Sequence, residues 1–301
     1  MGLPRKTILI LLAFFAIYFI WGSTYVLNKI AVSELSPLFL AGIRFISASL
    51  LIFVIAKFMK LSLAINKRQL INCVIAGFLF MAYGNGVFVW ALKYVDSSFG
   101  ALEASTQPLI VLLMMRMIDG KKIQRMSIIG IVLGIIGMYL LVSQEALVYQ
   151  ENSILGMFMI FTCVISWSIG SLFVAKAELP SNFFINTGYQ MLSGGIILLL
   201  TSFVIGETWL SPLLWSAPVK ISMGLLVVFG SIVAFTSFNY LLKVVSTEKV
   251  STSAYVNPVI ALILGALILN EKITAQSILA AVILLTGVYF INSKKKIRTL
   301  R

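Results

Sequence analysis

Two charged side chains conflict with their surroundings: Arg44 and Glu103 fall inside long apolar stretches of a 301-residue chain. A charge at the centre of a membrane helix costs about 2.5–3.5 kcal/mol on insertion scales, so each needs a partner, water or a function. The apolar stretches begin at Pro37 and Ser97. At 1.5 Å per helical residue, Arg44 then lies about 10 Å and Glu103 about 9 Å below the same surface. Equal depth allows an ion pair, which either locks two helices together or lines a cavity as a substrate contact or gate, with no contact between the two as the remaining alternative. A carboxylate left alone there can bind and release a proton.

Uncharged polar and aromatic residues form a second set. Gln107-Pro108 and Asn257-Pro258 occupy equivalent places in two spans, and Asn85 sits between Gly84 and Gly86. Proline removes a backbone donor and frees a carbonyl, a break tolerated at membrane depth only where it is buried or faces a cavity. Pro108 and Pro258 are therefore expected as gating kinks, with ordinary packing kinks as the alternative. Trp21, Asn85, Gln107, Trp167, Gln190, Tyr255 and Asn257 are the expected substrate-binding residues. Catalytic and metal sites are not expected, because the chain has no histidine and its two cysteines, Cys73 and Cys163, fall mid-span and read as small apolar fillers. No G-x-x-x-x-G-K-[ST] loop occurs, so energy must come from gradients, and no cofactor is expected. Gly130, Gly134 and Gly137 present a small-residue face suited to close helix contact, within a monomer or in a homodimer.

The elements that must hold these residues are membrane helices. Hydrophobic residues make up 60% of the chain and charged ones 11%, and the mean hydropathy is +1.04, too little polar surface for a water-soluble globule. Continuous apolar runs without alternation indicate helices rather than strands. Ten spans are expected, near 8–28, 37–58, 70–92, 97–117, 126–143, 153–175, 183–205, 219–242, 250–269 and 275–292. The net charge of +13 is a topology signal. Only Lys29, Lys93, Lys220 and Lys272 fall on the side opposite the N-terminus, Arg44 lies within a span, and the remaining basic residues share the N-terminal side. The positive-inside rule then places both termini in the cytoplasm, and a nucleic-acid role is not expected. The 206–218 loop, with Trp209 and Trp215, reads as an interfacial anchor.

Residues 92–143 recur at 242–293 at a constant offset of 150: Leu92, Ala104, Pro108 and Gly137 match Leu242, Ala254, Pro258 and Gly287. Nearer the N-terminus an offset near 146 aligns Trp21 with Trp167 and Arg44 with Gln190. Each copy holds five spans, so the second must be upside down, an architecture common among transporters. The expected organisation is a first repeat over 1–143, a connecting segment over 144–152, an inverted repeat over 153–293 and a basic tail over 294–301.

Trp21-Gly22-Ser23-Thr24-Tyr25, Ala41-Gly42-Ile43-Arg44-Phe45, Gly84-Asn85-Gly86, Ile165-Ser166-Trp167-Ser168-Ile169-Gly170-Ser171 and Ser253-Ala254-Tyr255-Val256-Asn257-Pro258-Val259 resemble, in this order, the EamA-type transporters of the drug/metabolite transporter superfamily. The resemblance implies ten helices in two inverted five-helix repeats, a central cavity, alternating access, and export of amino acids or other small metabolites across a bacterial inner membrane. Glu103 departs from it, since many relatives carry a small or apolar residue there. The expected partners are a small-molecule substrate, the lipid bilayer and a coupling proton or ion. A proton-coupled exporter of lipophilic cations is the rival reading, and an intramembrane enzyme is a third, for which nucleophile, base and metal ligands are wanting.

Overall fold

A computed structural model of the chain describes residues 5–120, 125–143, 151–251 and 253–292. Most of the expected connecting segment (144–150) and the tail (294–301) lie outside the described residues. Every regular element described is helical. The bundle comprises α1 (Lys6–Val32), α2 (Pro37–Phe58), α3 (Lys67–Ala91), α4 (Ser97–Ile118), α5 (Arg125–Val142), α6 (Ser153–Lys176), α7 (Phe183–Val204), α8 (Ala217–Val244), α9 (Ser253–Leu269) and α10 (Ala275–Asn292). Seven are long and apolar enough to cross a membrane, and α5, α9 and α10 carry shorter apolar stretches. Leu12, Phe15, Phe58, Leu200, Phe203 and Leu267 are among many large apolar side chains that point outward, as a lipid-facing surface requires.

The end where α1 begins is called here the near end, and the end where it finishes the far end. Lys29 belongs to the last turn of α1 rather than to a loop. Its ammonium donates to the carbonyls of Leu92 (2.7 Å) and Val95 (2.8 Å) where α3 runs out. That fits the rule that cations suit helix C-termini. In the 206–218 loop, Trp215 is buried with its indole N–H on Leu210 O, while Trp209 stacks on Phe39 and stays half exposed. The former is packing, so of the two only Trp209 is placed as an anchor would be.

Small residues decide which helices touch. A Cβ on Gly287 would stand 2.8 Å from Gly130 O, and one on Gly137 2.7 Å from Leu284 Cγ. The glycine face of α5 is thus spent inside the monomer, against α10. The pair α2 and α7 is built alike, with Gly42 against Leu199 and Gly188 against Ile52.

Three helices widen into π-helical turns: α1 over Ala16–Ile20, α3 over Phe78–Val87 and α8 over Leu226–Val233. Such turns leave backbone carbonyls without their usual donors. Side chains from neighbouring helices supply replacements. Trp21 Nε1 donates to Gly230 O (3.1 Å), Ser166 Oγ to Leu79 O (2.8 Å), and the Asn257 amide nitrogen to Tyr18 O (2.7 Å) and Ile17 O (3.1 Å).

Candidate functional site

Two buried apolar clusters, one towards each end of the bundle, meet at a central cavity of about 110 Å³. All three π-helical stretches border it, through Trp21 just beyond the first, Gly84 and Asn85 in the second, and Gly230 in the third. Its walls come from both repeats. An empty space of ~150 Å³ takes up a benzene-sized guest, so a larger solute needs the helices to part.

The two ends of the cavity differ in chemistry. Towards the far end lies Arg44 with Thr24, Asn28 and Asn85. The guanidinium donates from Nε to Ser231 Oγ (2.9 Å) and from Nη1 to Asn28 Oδ1 (3.2 Å), and sits over the Phe45 ring at 4.9 Å. Every one of those partners is neutral. Asn85 Oδ1 has no hydrogen-bond partner among the described residues. Towards the near end Trp21, Trp167, Phe235 and Phe238 form an aromatic box, with Trp21 and Trp167 edge to face at 5.7 Å and Trp21 and Phe238 at 5.0 Å. Phe80 backs it, 5.0 Å from Trp167.

Of the residues expected from sequence, the structure brings Trp21, Arg44, Asn85, Gln107, Trp167 and Asn257 to the cavity wall. Gln190 is elsewhere: fully buried, it donates to Asn186 Oδ1 (2.8 Å) and meets Asn239 Nδ2 (3.4 Å) in a network between α7 and α8. The side chain of Tyr255 lies outside the described residues. Arg44 and Glu103 share a depth but do not pair. Arg44 donates to Ser231 and Asn28, whereas Glu103 is 2% exposed, is absent from the cavity wall, and leaves Oε2 without a partner among the described residues. The reason is angular: depth along two helix axes does not fix which faces of the helices meet.

The two prolines are not equivalent either. In α4 the helix stops at Ala104, turns at Ser105-Thr106 and restarts at Gln107 with Pro108 in its first turn, where a missing N–H costs least. The carbonyls of Leu102 and Glu103 accept from the backbone N–H groups of Ser105 and Thr106 (both 3.1 Å) and from their hydroxyls, Ser105 Oγ (2.6 Å) and Thr106 Oγ1 (2.8 Å). In the second repeat a short turn over Thr247–Val250 ends before Ser251, and Pro258 lies inside the uninterrupted α9.

Sequence reasoning missed Asn28, Ser231, Phe235 and Phe238. Asn28 is the last residue of the expected span 8–28, yet it follows Trp21 by two helical turns and shares its face. The offset of 146 that aligns Trp21 with Trp167 carries Gly84-Asn85 onto Gly230-Ser231, so Ser231 was within reach of the repeat. The phenylalanines gave no signal in a chain with 21 of them.

Comparison with known proteins agrees with this architecture. The model of the EamA-like transporter family matches twice, over residues 8–143 and 154–293, once for each half. The uncharacterized inner membrane transporter YedA of Escherichia coli is 33% identical over 94% of this chain and 90% of its own length. The uncharacterized transporter YoaV of Bacillus subtilis is 24% identical over 96% and 99%. A solved crystal structure aligns over 96% of this chain and 97% of its own with a TM-score of 0.70 at 16% identity, which shows a shared fold. A cavity walled by both halves of an inverted ten-helix bundle, and a family model that matches each half in turn, lead to one conclusion: this multi-pass membrane protein belongs to the EamA-like transporter family.

Proposed function

We propose that the protein is a gradient-driven exporter of a small carboxylate-bearing metabolite, an amino acid foremost, working by alternating access in a bacterial inner membrane with both termini in the cytoplasm. The near end is then cytoplasmic and the far end faces out, as the distribution of basic residues requires. Arg44 carries the reading: a buried guanidinium on the cavity wall with only neutral partners is an unbalanced positive charge aimed at the solute. A carboxylate meets its planar fork with two charge-assisted hydrogen bonds. Asn85 Oδ1 offers an acceptor for an ammonium, and the aromatic box takes an apolar body.

The same observation weighs against a lipophilic cation. A bound cation 6 Å from the guanidinium would be repelled by about 3 kcal/mol at an effective dielectric of 20, roughly a hundredfold in affinity. Thermal unfolding of the purified protein with a panel of L-amino acids and lipophilic cations tests this. Carboxylate-bearing solutes should raise the melting temperature in the wild type and not in Arg44→Gln. Stabilisation by lipophilic cations alone, undiminished in Arg44→Gln, would turn the reading to the rival. Reporter fusions after Arg301 and within 144–152 should report cytoplasm and exterior respectively, and the reverse would invert the map.

A further inference from the structure

Among the described residues Glu103 is the one buried acid, and it takes no part in the cavity wall. It is the penultimate residue before the break in α4, and Ala104 and Gln107 just after it line the cavity. Among the described residues no other acid falls within a membrane span. The half-helix that carries it packs against α1, α5, α6 and α9. At its depth these offer few charged or titratable groups. Cys163 of α6 is its electrostatic neighbour, Tyr25 of α1 lines the cavity, and Lys29 of α1 is turned to carbonyls at the end of α3. Tyr139 of α5 faces outward, and α9 brings only Tyr255. Arg44 is engaged elsewhere.

An ionised carboxylate sealed in this way would have no counter-ion and no donor on Oε2, at a cost of several kcal/mol. The sealed form therefore holds the neutral acid. A metal cation is a poor alternative occupant, since among the described residues Glu103 belongs to no cluster of three or more acidic or cysteine side chains that could share its coordination. Pure packing is also a poor account, because an apolar residue would fill the space without leaving an oxygen unmatched.

We propose that Glu103 is the proton-binding site that couples this transporter to a proton gradient. The carboxyl is protonated while buried, and the joint at Ser105-Thr106 lets the two halves of α4 move separately and bring it to the cavity. There the O–H bond breaks, the proton passes to cavity water, and the carboxylate stays until a proton returns from the other face of the membrane. The inward proton exchanges for the outward solute. The cycle rests on the exporter reading, while the proton site rests on Glu103 alone.

Infrared spectra of the protein in lipid vesicles, prepared with glutamate labelled with carbon-13 at the side-chain carboxyl, test the site without any substrate. The carbonyl stretch of a protonated carboxyl should be present, move with the label, vanish as the pH is raised, and be missing in Glu103→Gln. Should Glu103→Gln fail to fold, the label in the wild type and a displaced band in Glu103→Asp decide the matter. Absence of any label-sensitive band overturns the proposal.

Coupling is read in the same vesicles with radiolabelled L-phenylalanine. An acid-inside gradient should drive accumulation by the wild type, and Glu103→Gln should fall to the level reached without a gradient while still exchanging labelled for unlabelled solute. Gradient-driven accumulation by Glu103→Gln equal to wild type also overturns the proposal. A wild type that shows the band but moves no solute would instead count against the exporter reading and leave the proton site standing.

Discussion

Two helices at the far end, α2 and α4, are held at their starts by carboxylates reaching across from other elements, whereas α3 and α7 at the near end are capped from their own sequence. Glu207, after α7, accepts from the backbone N–H groups of Leu38 (3.1 Å) and Phe39 (2.8 Å) and from Ser202 Oγ (2.7 Å), and so holds the start of α2. Glu271, before α10, accepts from Ser97 N (2.9 Å), Ser97 Oγ (2.6 Å) and Ser98 N (3.0 Å) at the start of α4. In both cases a carboxylate of the second repeat meets the positive end of a helix dipole of the first. At the near end Asn66 forms a capping box with Gln69, and Asn182 accepts from Phe184 and Ile185, each within its own helix. The sequence explains why the pattern is not mirrored: the repeat offsets place Lys121 and Leu61 opposite Glu271 and Glu207, and neither side chain can accept a hydrogen bond. Parting the repeats at the far end would therefore break the hydrogen bonds to Glu207 and Glu271.

The largest expected effect follows from breaking those latches. Hydrogen bonds to a charged group contribute about 1.5–3 kcal/mol, so Glu207→Ala or Glu271→Ala should each shift the far-end equilibrium by about 2 kcal/mol, roughly thirtyfold. A cysteine at Ala104, which lines the cavity, reports it when Cys73 and Cys163 have been replaced by alanine. An impermeant maleimide added from the far side should label it faster by that order in either variant. Equal rates in wild type and variants would show that the carboxylates are static caps rather than a gate.

The near-end counterpart sharpens the contrast. Glu178 meets Arg68 at 3.4 Å and accepts from Asn66 Nδ2 at 3.0 Å, but the ion pair is open to solvent, with side chains 79% and 45% exposed for Arg68 and Glu178. Exposed pairs contribute about 0.2–1 kcal/mol. Glu178→Ala should therefore change near-side labelling of the same cysteine by less than about fivefold. A change as large as that from Glu271→Ala would mean that the two ends are gated alike.

The contrast also marks what the amino-acid sequence can and cannot convey. Helix number, the inverted repeat and six residues of the cavity wall followed from apolar length, a constant offset, and polar or aromatic residues stranded in apolar runs. Azimuth did not follow. Arg44 and Glu103 agree in depth and still face different neighbours, and Gln190, the repeat mate of Arg44, turns into a packed network with Asn186 and Asn239. Depth is linear in residue number, but facing depends on crossing angles and on the π-helical turns of α1, α3 and α8, each of which rotates everything beyond it. Glu271 shows the same limit. It stands just before α10 in the sequence yet caps α4, a contact between elements that only the fold brings together.

The smallest expected effects concern how the far end responds to pH, through two acids outside the spans. Asp96 stands just before α4 but forms no cap bond, that role having passed to Glu271. Burial first, and repulsion from Glu271 second, raise its pKa above the ordinary carboxylate value, against the opposing pull of Lys29. The folded protein then binds this proton more tightly than the unfolded chain, so stability falls as pH rises from the ordinary value through the raised one. Glu34 behaves oppositely. By accepting from Ser216 its carboxyl is lowered, so its stabilisation is present above the unfolded value and is lost as pH falls through the folded one. Glu34 is fully exposed, and its share is the lesser of the two. Thermal unfolding in detergent between acid and neutral pH should show Asp96→Asn more stable than wild type at neutral pH, with the difference closing in acid. Glu34→Gln should be slightly less stable at neutral pH, its deficit also closing in acid. A neutral-pH loss in Asp96→Asn as large as that from Glu271→Ala would place Asp96 among the latches and make the far-end lock a three-carboxylate device.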